Sequence, residues 1–149
     1  MEINVPTMQI EDNHEQLVHL ATRFRAAIIN SQLVRKPFIT FDYFPLGACG
    51  NTARLLAEYL REHGYGDFDY VTGERGGRTH AWLDKAGLII DITADQFDDQ
   101  DAAVIVTRDH GWHSLFEGQI RWHGDYRLFP NGGFEDMPQM YALIQQALE

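Results

Sequence analysis

The chain has 149 residues, 44% hydrophobic and 23% charged, which suits a single domain over residues 1–149 with an ordinary core. A formal charge of −10 opposes a broad nucleic-acid surface, because affinity for phosphate rests on cationic side chains and these are scattered here. One cysteine rules out an internal disulfide, and no segment reads as a signal peptide or approaches the ~18 apolar residues of a membrane span, so a cytoplasmic protein with no membrane partner is expected.

Residues 12 to 30 carry helical periodicity, with Leu17, Leu20, Ala21, Phe24, Ala27 and Ile28 recurring at three and four. Asp12 or Asn13 would cap its start, with acidic residues in the first turn. From 32 to 48, Pro37, Pro45 and Gly47 among aromatic residues read as a partly buried loop. A second helix is predicted from about Cys49 to His63, closed by Gly64 as a left-handed C-cap. Asn51 or Thr52 offer N-caps for a slightly later start. Ala53, Leu56 and Leu60 line up with Cys49, so the thiol lies in line with the buried stripe.

Beyond Gly66 the period becomes two. Phe68–Thr72 reads as a strand, Gly73 to Gly77 as a turn, Thr79–Leu83 as a second strand and Leu88–Thr93 as a third. Residues 84 to 87 are short enough for a hairpin, which brings His80 on one arm near Asp91 on the other. Alternation puts His80 on one side with Trp82 and Asp84, and Asp91 on one side with Ile89 and Thr93. Ala102–Thr107 is a further strand and Gln119–Leu128 a late strand or pair. Met137–Leu148 closes the chain as a helix with Met140, Leu143, Ile144 and Ala147 on one face. Helices flanking a mostly antiparallel sheet make the fold α+β.

Free cysteine is most often a small buried hydrophobe. Cys49 stands out because small residues flank it, in Leu46-Gly47-Ala48 and Gly50. A helix start also supplies backbone N–H groups to hold an oxyanion and to favour a thiolate. Asp91 interrupts the apolar run Leu88-Ile89-Ile90 and Ile92, and a buried carboxylate requires a cationic or proton-donating neighbour. His80 fits that need by hairpin logic, with Arg75 or Arg78 as rivals. Cysteine, histidine and aspartate on three regular elements are the parts of a thiol acyl-transfer site.

Two other clusters resemble metal sites in spacing alone. His110-Gly111-Trp112-His113 with His123 has imidazoles at zinc-like spacing but no joining cysteine and no helical His–Glu motif. These read as loop or surface histidines, with no metal and no cofactor. The run Asp91, Asp95, Asp98, Asp99, Asp101 lacks the glycine and closing glutamate of a calcium loop and reads as a solvated acidic loop.

The strings FPLGACGNTARLLAEYL and RTHAWLDKAGLIIDITADQF resemble the transglutaminase-like branch of the papain-like cysteine hydrolases. Arylamine N-acetyltransferases and the peptidases that remove lasso-peptide leaders share this order of parts. The resemblance covers about Phe44 to Phe97. It implies a helix-borne cysteine packed on an antiparallel sheet, with Cys49 as nucleophile, His80 as base and acid, and Asp91 as its orienting carboxylate. No papain-type glutamine precedes the cysteine, so Gly50 and Gln96 are the candidates at the oxyanion, with Trp82 as a candidate at the substrate. The implied function is hydrolysis of a peptide or other amide through an acyl-enzyme on Cys49. Acyl transfer to an amine, as in transglutaminases and acetyltransferases, is the alternative. A non-catalytic binding or assembly module, with Trp112, Phe116 and Trp122 as its surface, is the reading from another class. Oligomeric state is not legible.

Overall fold

A computed structural model describes residues 5–31, 44–45, 48–125 and 137–148. The elements are α1 (Val5–Asn30), α2 (Cys49–Glu62), β1 (Asp69–Arg75), β2 (Arg78–Lys85), β3 (Leu88–Asp91), β4 (Ile105–Thr107), β5 (Glu117–His123) and α3 (Met137–Leu148). Single 3-10 turns lie at Ala94–Gln96 and His113–Leu115. The strands form one sheet in the order β4-β3-β2-β1-β5, each neighbour antiparallel to the next, so the fold is mixed α+β. No helix among the described residues is long and apolar enough to cross a membrane.

The helices differ from expectation at their starts. α1 begins at Val5, not near residue 12, and its first turn holds no acidic residue. Asp12 and Asn13 therefore lie inside it, while Pro6 sits in the first turn, where its missing N–H forfeits no helical bond. The loop predicted from 32 to 48 lies largely outside the described residues. α2 starts at Cys49, preceded by Ala48 with no side-chain cap. The Thr52 amide already donates to the Ala48 carbonyl at 2.9 Å, so Asn51 and Thr52 are interior rather than caps. At the other end Gly64, at φ +88°, makes the left-handed exit, and the Tyr65 amide closes back on the Leu60 carbonyl at 3.0 Å.

The predicted turn at 73–77 shrinks to Gly76-Gly77, and β1 runs through Gly73 to Arg75. Gly73 pairs with His80 and serves close packing: a Cβ there would lie 2.8 Å from that of Phe116. Between β2 and β3 the turn is Ala86-Gly87, both with positive φ, as the twist of a two-residue hairpin requires. β3 ends at Asp91, two residues short of its predicted end, and β4 is shorter than its predicted span. β5 begins at Glu117, and Leu128 lies outside the described residues.

The sheet is covered on both faces. On one, Tyr70, Leu83 and Ile90 meet Phe24 and Ile28 of α1, Leu56 and Leu60 of α2, and Ile144 of α3. On the other, Val71, Trp82 and Ile89 pack with Phe97 and Phe116 from the segments between β3 and β5. Double coverage explains why the central strands are apolar at consecutive positions. Arg25 of α1 ties the second layer to the first. It grips Asp95 through two bonds of 2.9 Å and also donates to the carbonyls of Ile92 (2.6 Å) and Ala103 (3.3 Å).

Candidate active site

His80 and Asp91 come from adjacent strands, but not from opposed positions. The ladder pairs Leu83 with Ile90, so the next step sets Trp82 against Asp91, and His80 lies diagonally across from the carboxylate. The diagonal suffices. His80 Nε2 stands 2.7 Å from Asp91 Oδ2, and both side chains are fully buried. A second imidazole, His113, reaches the same oxygen at 2.8 Å, while the Thr93 amide donates to Oδ1 at 3.0 Å.

The hydrogen-bond pattern fixes the protons. Burial pushes the Asp91 carboxyl upward, but the His80 charge and the bonds from both imidazoles outweigh it and hold the group well below the usual carboxylate range. An ionised carboxylate only accepts, so both rings must carry hydrogen on Nε2. His80 is thereby left with Nδ1 as its free face. Gln96 Nε2 lies 3.4 Å from that nitrogen and donates to the Thr93 carbonyl at 3.0 Å. Arg78, stacked 4.1 Å over the Phe97 ring, is 3.5 Å from Gln96 Oε1.

Cys49 is half-buried at the start of α2 and stands beside His80. Burial alone would lower the imidazole pKa. The charge and hydrogen bond of Asp91, followed by the hydrogen bond and charge of Cys49, raise it to about 9. Gly50, next along, has its open side filled: a Cβ there would lie 2.9 Å from the Tyr70 hydroxyl and 3.4 Å from Arg54. The small residue thus admits the Tyr70 hydroxyl. Burial raises the Tyr70 phenol, and Arg54, 3.9 Å over the ring, opposes the rise.

The structure brings Cys49, His80, Asp91 and Gln96 together. Trp82 is placed elsewhere: it is buried behind the imidazoles, with ring centroids 5.6 Å from His80 and 4.8 Å from His113, and walls the site from within. Trp112 and Phe116, read as surface aromatics, pack around His80 at 5.9 and 5.4 Å. Of that predicted patch, Trp122 alone is exposed. Arg75, a rival partner for Asp91, pairs instead with Asp99 at 2.9 Å.

The predicted acidic loop divides. Asp91 is buried, Asp95 and Asp99 are paired with arginines, and Asp98 and Asp101 are exposed.

His113 was missed as a site residue. The sequence reads it as a loop or surface histidine, yet it is 2% exposed, whereas His110 and His123 are exposed. The available signal was Asp91 itself, since a carboxylate in an apolar strand has room for more than one donor. His80, Asp91 and His113 offer ligand atoms within 4.8 Å of one another, a grouping to test for a metal. Their N···O separations of 2.7 and 2.8 Å are direct hydrogen bonds. Ligands around a tetrahedral zinc would stand about 3.3 Å apart.

Comparison of the chain with protein-family models, curated proteins and solved structures gives no match.

The raised His80 pKa has a signed consequence for stability. A histidine that binds its proton more tightly when folded adds stability that is full below its unfolded value near 6.5. That contribution falls as pH rises and is lost above about 9. The expected size is about 3 kcal/mol. Melting curves from pH 6 to 9.5 should therefore show a decline in wild type that is much flatter in His80→Gln. Parallel curves would remove the imidazolium from the fold's energetics.

Proposed function

We propose that the chain is a cysteine hydrolase of peptide or other amide bonds, acting through an acyl-enzyme on Cys49. The supporting observation is one arrangement: a half-buried thiol beside a fully buried imidazole whose far nitrogen is held by an ionised carboxylate. With its pKa near 9, His80 carries a proton at neutral pH and favours a thiolate at Cys49. The thiolate attacks the substrate carbonyl, and the C–S bond forms as the carbonyl electrons move to oxygen. Backbone N–H groups in the first turn of α2, including that of Gly50, and the Gln96 amide are the donors for that oxygen. The imidazolium then gives its proton to the leaving amine as the C–N bond breaks. Water, deprotonated by neutral His80, attacks the thioester, releases the acid and regenerates the pair.

This chemistry agrees with the transglutaminase-like resemblance of residues 44–97, and no cofactor enters it. The first test is alkylation of Cys49 by dilute iodoacetamide at pH 6. We expect a rate at least tenfold above that of free cysteine, whose thiolate is scarce two units below its pKa of about 8.5. A rate equal to free cysteine would leave Cys49 a structural residue. Incubating an acylated wild-type protein with water alone or with added primary amine then decides the acyl group's fate, because an amide product would make the protein a transferase.

A further inference from the structure

We propose that His113 is a positioning residue for this site, holding the Asp91 carboxylate in the orientation from which it serves His80. The inference rests on the acyl-transfer reading for its consequence but on hydrogen-bond geometry for its substance. Asp91 Oδ2 accepts from two imidazoles at nearly equal distance, 2.7 Å from His80 and 2.8 Å from His113, and Oδ1 accepts from the Thr93 amide. Three donors around one carboxylate leave it no freedom to rotate, and each favours its ionised form. Without His113, one lone pair of a fully buried oxygen would lose its partner, and the anion would face apolar rings.

The surroundings of His113 fit this task. Its ring lies between Trp82 at 4.8 Å and Trp112 at 4.9 Å, and its own carbonyl is held by the Gln119 side chain at 2.9 Å. The 3-10 turn His113–Leu115 thus delivers an imidazole whose orientation is locked before it meets Asp91. His113 is also the point where the buried cluster meets a pocket of about 100 Å³, whose polar lining includes Asp84, His110, Ser114 and Arg121. A second imidazole against Asp91 would be redundant for packing alone, since phenylalanine fills the same space. What histidine adds is the N–H.

Two measurements on the full chain test this. Long-range 1H–15N spectra of the histidine-labelled wild-type protein should show both His80 and His113 protonated on Nε2. His113→Phe should move the His80 ring resonances and cut the pH 6 alkylation rate of Cys49 about tenfold, the loss of one charge-assisted bond. His113→Gln, which restores an N–H donor, should recover most of that rate. A wild-type His113 protonated on Nδ1 alone overturns the proposal, and this outcome needs no variant to fold. Equal rates in wild type and His113→Phe overturn it too, as do equal losses in the Phe and Gln variants. If wild-type Cys49 reacts like free cysteine, the hydrolase reading falls, and the spectra still decide the role of His113.

Discussion

Asp91→Asn is expected to cost about 3–5 kcal/mol of stability and to reduce turnover on the order of 10²- to 10⁴-fold. The carboxylate accepts three hydrogen bonds, two of them on one oxygen. An asparagine of the same shape has only one accepting oxygen. Placed toward the imidazoles, that oxygen leaves the NH2 pointing at the Thr93 amide. Placed toward Thr93, it leaves the NH2 facing two Nε2–H groups, so at least one ring must change tautomer or turn away. A ring protonated on Nδ1 presents hydrogen where the thiol needs a lone pair. Paired melting curves and turnover of an amide substrate check both parts. A variant that melts and reacts like wild type would show that Asp91 neither braces the fold nor orients His80.

Cys49→Ala should separate chemistry from stability in the opposite sense. Turnover of any amide or ester substrate, and the mass increase of a trapped acyl-enzyme, should vanish, while the thermal midpoint moves by the equivalent of about 1 kcal/mol or less. The thiol is half-buried at the first position of α2, so its loss opens little cavity, and alanine is the best helix former. A large fall in melting temperature with retained turnover would assign Cys49 to the core and end the hydrolase proposal.

Much of this arrangement was legible in local sequence because local rules governed it. Gly64 after a periodic run marked the end of α2, and the periodicity of 137–148 located α3. The isolated Asp91 in an apolar strand announced a buried donor, and a hairpin link of four residues made His80 its neighbour. Three things escaped for physical reasons. Register set Trp82, not His80, opposite Asp91, and register depends on which turn residues take positive φ. Gly73 looked like a turn because the proximity of Phe116, 43 residues later, is invisible along the chain. His113 escaped for the same cause: its partner is chosen by how the segment after β4 folds over the second face of the sheet. Alternation assigns a side chain to a face and is silent about what covers that face.

That dependence on a late segment bears on how the protein comes off the ribosome. Cys49 is made early in synthesis, His80 next, and the second imidazole bound to Asp91 only when residue 113 has been added. The layer around His80 forms only once Phe97, Trp112 and Phe116 have arrived. In the proposed hydrolase the site is therefore complete only after residue 113 has been added, and no activity is expected from a shorter nascent chain.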